Sequence, residues 1–229
     1  MALLVRIASN PVGAELLLQA GLMARLAEFS VLDLRPEPAL LAGTSEDGGA
    51  GAGLSRYHSI LFPVLRLCQA VLGSLGADNV SAAAQTAQFL TGHEEVVSLV
   101  LRGAAARSSL APALLQELAL LSAVVSRAAV LDTATATAAP DCAGLELAGQ
   151  LGRLQRQMLG LLQQFQLGEP LVQSLAAAPQ TATLLVLQII TNATAFARTL
   201  LAAAPSPRST KLLVSPVSLL EHSHPVKAF

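Results

Sequence analysis

Leu147, Leu151, Leu154, Met158, Leu161 and Phe165 recur at steps of three and four residues. That spacing fits an α-helix with one apolar face. Arg153, Arg156, Gln163 and Gln164 lie on the opposite side of the same stretch. The stripe lasts under three heptads and lacks flanking charge pairs, so it reads as core packing rather than a coiled-coil seam. The same rhythm returns in Leu61, Val64, Cys68, Val71, Leu72 and Leu75, and again in Leu114, Leu118, Leu121, Val125 and Ala128. The few Val and Ile residues sit inside such patterns, which leaves little to build a sheet. The apolar mass is alanine and leucine, both strong helix formers. The predicted fold class is all-α.

Punctuation residues divide the chain into helices of uneven length. Asn10-Pro11 reads as an N-cap followed by proline at the first helical position. Leu16, Leu17 and Ala20, then Gly21, then Leu22, Leu26 and Phe29 suggest two short helices meeting at a glycine. Pro36 and Pro38 close that segment. A strong helix over 61–75 carries Pro63 near its first turns and ends at Gly76. Further helices are expected over 78–90, capped by Asp78, and from His93 to Arg102. A long one begins after Ser108 or Ser109, with Pro112 in its first turn. Asp141 is placed to cap the helix that carries the opening stripe. Gly168-Glu169-Pro170 stops it, and a short helix follows before Pro179.

A final helix should run from about Thr181 to Ala204, with Leu184, Leu185, Leu187, Ile189 and Ile190 apolar on nearly every side. Such a helix must be covered from more than one direction, and Leu185, Ile189 and Phe196 are the candidate partner-binding residues. The domain reading is a helical repeat segment over 1–37, a flexible Gly-rich loop over 38–54, a helical solenoid over 55–204 and a mostly unstructured tail over 205–229. A second loop of Ala and Thr covers 132–142. No exact repeat occurs, yet helix hairpins of this size are what irregular HEAT or armadillo-like α-solenoids are made of.

Composition narrows the function. Of 229 residues, 53% are hydrophobic and only 13% charged, with a formal net charge of −1. A basic face for nucleic acid or for anionic lipid is therefore missing. Residues 170–197 contain no charge, but Pro179 interrupts them and Gln180, Thr181, Thr183, Gln188, Thr191, Asn192 and Thr194 make them polar for a bilayer span, so burial among protein helices is expected. Met1 to Ala8 lacks the pattern of a secretory signal. Two cysteines, Cys68 and Cys142, are too few for a disulfide framework and read as small hydrophobes in a reducing compartment.

Catalytic and cofactor chemistry finds no footing. Gly48 and Gly53 have Walker spacing, but Leu54-Ser55 stands where Lys-Ser/Thr would hold phosphate and magnesium. His93-Glu94-Glu95 starts like a zincin helix without its second histidine. Glu221, His222 and His224 lie in the tail with no preorganised fourth ligand. Asn79-Val80-Ser81 and Asn192-Ala193-Thr194 match the glycosylation sequon inside expected helices and read as chance matches. The expectation is no enzyme, no metal, no cofactor and no small-molecule substrate.

Several stretches resemble one family. They run in order as Arg6-Ile7-Ala8, Gly13-Ala14-Glu15-Leu16-Leu17, Val31-Leu32-Asp33-Leu34-Arg35-Pro36-Glu37, Leu61-Phe62-Pro63-Val64-Leu65-Arg66-Leu67-Cys68-Gln69, Gln88-Phe89-Leu90, Leu115-Gln116-Glu117-Leu118-Ala119-Leu120-Leu121 and Gly152-Arg153-Leu154-Gln155-Arg156-Gln157-Met158. In this order and spacing they resemble the C-terminal region of the large inner-ring scaffold nucleoporins of the nuclear pore complex, the two-hundred-and-five-kilodalton type and its fungal counterpart. The resemblance implies an α-solenoid that is a C-terminal fragment of a longer one, a place at the nuclear envelope, and binding of other inner-ring nucleoporins, whose linker segments insert short helices into solenoid grooves. A reversible nuclear transport adaptor is the alternative from another class. Armadillo adaptors, however, repeat Trp and Asn along the groove, and this chain has no Trp and three scattered Asn.

Overall fold

The computed structural model describes residues 1–36, 49–76, 79–103, 111–128, 142–165 and 169–203. Among these, every regular element is helical. Asn10 begins the clearest case: its side chain accepts a 3.0 Å hydrogen bond from the Val12 amide, and Pro11 occupies the first helical position. Gly21, at φ +74°, then turns the chain in the left-handed region that only glycine enters cheaply. The elements up to this point are α1 (Ala2–Ala8), α2 (Pro11–Gln19) and α3 (Leu22–Ala27), followed by a 3₁₀ turn over Ser30–Asp33. Gly13 lets α2 cross α1 closely, because a Cβ there would run into the Ile7 carbonyl.

Seven further elements follow: α4 (Gly49–Leu75), α5 (Val80–Gly92), α6 (Glu94–Gly103), α7 (Pro112–Ala128), α8 (Cys142–Gln164), α9 (Glu169–Ala177) and α10 (Gln180–Ala203). Two boundaries differ from the sequence expectation. First, α4 begins at Gly49, inside the stretch read as a glycine loop, and so places Pro63 in mid-helix rather than in a first turn. The packed run from Leu61 onward is long enough to carry the helix backward through alanines and glycines, each glycine costing about 1 kcal/mol relative to alanine. Second, the cap of α5 is Asn79, whose side chain accepts from the Ala82 amide at 2.9 Å. Asp78, Ser108, Ser109 and Asp141, the other expected caps, lie outside the described residues, as do most of the Gly-rich segment, the Ala/Thr loop and the tail. Replacing Asn79 by Ala should lower stability by about 1 kcal/mol through loss of that amide partner. Chemical denaturation reads this directly, and an unchanged midpoint would show that the cap contributes nothing.

The helices stack in sequence. The pair α1 and α2 lies on α4, α3 lies on α5, α4 packs on α7, α6 on α8, and α10 on both α7 and α8. The centre is α7, which touches α4, α5, α6, α8 and α10. Leu115, Leu118, Ala119, Leu120, Leu121, Val124, Val125 and Ala128 are all buried, on several sides of the helix. This reverses one expectation: all-round cover falls to α7, while α10 is covered along one stripe only. The small residues Ala119 and Ser122 permit the close seat of α10, and Asn192 pins it by donating to the Ala119 carbonyl at 3.1 Å and the Ser122 hydroxyl at 3.0 Å. Gln69 of α4 donates to the Leu120 carbonyl at 3.0 Å from another side. The opening stripe is internal as expected, with Leu151, Leu154, Met158 and Leu161 at 1% exposure or less. Cys68 is fully buried, and burial pushes its thiol up to about 12, which suits a packing group and not a nucleophile.

Candidate interaction site

The three candidate partner residues lie on α10, and the structure turns two of them inward. Ile189 and Phe196 have no exposed surface and sit with Ala182, Val186 and Ala193 on the stripe facing α7 and α8. They are therefore core residues, unable to meet a partner while the helix stays seated. Leu185 is half-buried at the edge of the same stripe. The spacing of 182, 186, 189, 193 and 196 marked this face in advance. What hid it was the run of apolar residues on the far side.

That far side is the unusual surface of the molecule. Leu184 is 59% exposed, Leu187 45% and Leu201 53%. Between them three threonine hydroxyls are turned back on the helix. Thr191 donates to the Leu187 carbonyl at 2.8 Å, Thr194 to Ile190 at 2.8 Å and Thr199 to Ala195 at 2.9 Å. Each hydroxyl is thus satisfied within the helix. Arg198 is the single charge of the segment 180–203. By length and composition alone, Gly53–Leu75 and Gln180–Ala202 could each cross a membrane, but only 22% of the most apolar stretch of the second is buried against 44% of that of the first. Among the described residues, a smaller share of α10 than of α4 is covered.

A second set of residues, not read from the sequence as a cluster, ties the segment after α3 to α4, α5 and α7. Arg35 forks onto Glu117 of α7, with Nε 2.8 Å from Oε1 and an Nη 2.7 Å from Oε2. The Arg35 side chain is 3% exposed and that of Glu117 is fully buried. His58 Nε2 stands 3.5 Å from the same Glu117 Oε2, a close approach without a hydrogen bond. Tyr57 donates its hydroxyl to the Leu32 carbonyl at 2.9 Å, and both ring nitrogens of His93 face acceptors, Asp33 Oδ1 at 2.7 Å and the Leu26 carbonyl at 2.9 Å. Burial by itself would raise the Glu117 carboxyl, but the Arg35 fork and the nearby His58 outweigh it and hold the group below its ordinary range. Burial likewise pushes the Tyr57 phenol up. The sequence did carry a signal. Glu117 is the only acid in the otherwise apolar stretch 110–125, and a buried carboxylate requires a cation.

The surface charges read from the sequence behave more plainly. Arg153 forks onto Glu94 of α6 at 2.5 and 2.9 Å, which lowers the Glu94 carboxyl. With the Arg153 side chain 45% exposed, solvent screens most of that pair. Asn192 of the second sequon is used inward against α7, and Asn79 of the first caps α5. Among the described residues no group of three or more metal-ligating side chains converges.

The profile of a family described as nuclear pore complex scaffold, nucleoporins 186/192/205, matches residues 1–129. The chain is similar to human nuclear pore complex protein Nup205, with 38% identity over 170 residues, or 72% of this chain and 8% of the relative. It is also similar to Nup205 of Drosophila melanogaster, with 35% identity over 182 residues, or 75% of this chain and again 8% of the relative. The chain thus spans 8% of the length of either relative.

Proposed function

Because the chain belongs to the nuclear pore complex scaffold family of nucleoporins 186/192/205, we propose that it is a structural component of the pore's inner ring, working at the nuclear envelope by binding other nucleoporins and catalysing nothing. The observation that carries this reading is the outer face of α10. Leu184, Leu187 and Leu201 stand exposed on a helix whose threonine hydroxyls are turned back on its own carbonyls. An amphipathic segment of a linker nucleoporin laid along it would bury the leucines. The partner residues of this reading are Leu184, Leu187 and Leu201, with Leu185 at the margin, in place of Ile189 and Phe196.

The test replaces Leu184, Leu187 and Leu201 together by Ser in the tagged full chain. The altered side chains face outward, so the melting temperature should hold. Rim localisation and capture of inner-ring nucleoporins from nuclear envelopes should fall by more than about tenfold if the face supplies around 1–2 kcal/mol at several contacts. Unchanged rim signal and unchanged capture in a folded variant would remove this face from the partner site.

A further inference from the structure

The junction of α5 and α6 holds a buried histidine placed between two acceptors. His93 follows Gly92, the last residue of α5, and its side chain is 4% exposed. Nδ1 lies 2.7 Å from Asp33 Oδ1 of the 3₁₀ turn, and Nε2 lies 2.9 Å from the Leu26 carbonyl in the last turn of α3. An ionised carboxylate and a backbone carbonyl can only accept. A neutral imidazole has one N–H and meets one of them, whereas the imidazolium has two and meets both. The Asp33 side chain is 46% exposed, so water solvates its charge. The ring is enclosed, with Phe89 of α5 edge-on to it at a centroid distance of 5.2 Å. Other charged groups around it are engaged elsewhere or face solvent. Glu94, next in the chain, holds Arg153, and Glu117, across a cavity of about 20 Å³ that the ring lines, holds Arg35. Tyr57, on the same cavity, donates to the Leu32 carbonyl. Arg25 and Glu28 beside the end of α3, and Glu95 of α6, are exposed.

We propose that His93 is a proton-operated latch: with both ring nitrogens protonated it ties α3 and the 3₁₀ turn to the α5–α6 junction, and loss of one proton undoes one of the two ties. Either loss leaves a buried nitrogen lone pair facing an oxygen, which is repulsive as well as unbonded. The protonated ring is the better bonded one. Its stabilisation is therefore present on the acid side of the histidine range and is lost as pH rises through it. What loosens is local. The segment 22–34 is held to the rest of the chain by these two bonds, by the Tyr57 hydroxyl on the Leu32 carbonyl, and by the buried side chains of Met23, Leu26 and Leu32. The latch involves no residue of α10, and its failure would leave the reading of the leucine face untouched.

The experiment follows amide hydrogen exchange of the full chain by mass spectrometry from about pH 5.5 to about pH 8, corrected for the intrinsic exchange rate. Protection of the segment 22–34, measured against α10, should fall at least about tenfold across that range. Asp33→Asn is the deciding variant. Its amide can donate to Nδ1 while the Nε2 hydrogen goes to Leu26, so a neutral ring is fully paired there. Asp33 is half-exposed, so the variant should fold, and its protection of 22–34 should change less than about twofold with pH. His93→Gln carries no titrating proton and should show the same flat profile at lower protection. A flat profile in the native chain would overturn the proposal. So would an undiminished pH dependence in either variant, which would assign the titration to His58 or to the histidines at 222 and 224.

Discussion

Glu117→Leu is expected to lower the unfolding free energy by about 3–5 kcal/mol, among the largest effects any single exchange in this chain can have. The loss comes chiefly from what remains. Arg35, 3% exposed, would keep its charge in a site stripped of both water and carboxylate. Arg35→Met/Glu117→Leu should recover most of the deficit, because an apolar pair of similar volume asks for no solvation. The acid limb adds a signature. Glu117 is held below its ordinary value of 4.5 in the folded chain, so the unfolded state takes up the proton first as pH falls. Its stabilisation is complete above that ordinary value and is lost as pH drops through the lower folded one. Urea titrations at neutral pH and at successively lower pH should therefore show the native protein losing stability on the acid side, with a shallower decline in the double variant. If the double variant is as unstable as the single one, Arg35 is not the group left stranded.

Ile189→Asp should cost more than about 3 kcal/mol and detach α10 from α7 and α8, because it places a carboxylate where no surface is exposed. Leu187→Asp, two positions away and 45% exposed, should change stability by no more than about 0.5 kcal/mol. Thermal melts of the two proteins side by side decide the matter. Equal losses would mean that the inner and outer faces of α10 have been interchanged. The pair also guards against a misreading in cells, where loss of rim signal in Ile189→Asp would report unfolding and not a missing contact.

Much of the architecture was legible because helical periodicity is a local property. The stripe from Leu151 to Leu161, the Asn10-Pro11 start and the Gly21 turn all follow from neighbours a few residues apart, and all appear in place. The misplacements have a common cause, which is that cover is not local. A segment such as 182–196 shows leucines and isoleucines on several sides, and only the third dimension says that α7 takes one side. Conversely, α7 showed a stripe in sequence but is enclosed by five helices, since Ala119 and Ser122 let neighbours approach on faces that looked polar or small. The Arg35–Glu117 fork joins residues 82 positions apart. No periodicity reports such a pair, although a lone acid in an apolar run asks for one. The start of α4 at Gly49 failed for the opposite reason: glycine content describes the coil's preference, and the packed helix downstream overrode it.

Mechanically, the position of α7 makes this stack a braced beam. A pull entering through α1 and α2 passes into α4, and from there it has two ways to α10. One runs straight through α7, and the other goes round by α5 and α8. A string of repeats that touch only their nearest neighbours bends at every joint, since each joint is a single seam. Here two seams share the load between α4 and α10, and the fork between Arg35 and Glu117 ties the segment after α3 to the central helix itself. Strain imposed at one end then has two routes to the other, and neighbours attached to the two ends of this stack are joined through the same central helix.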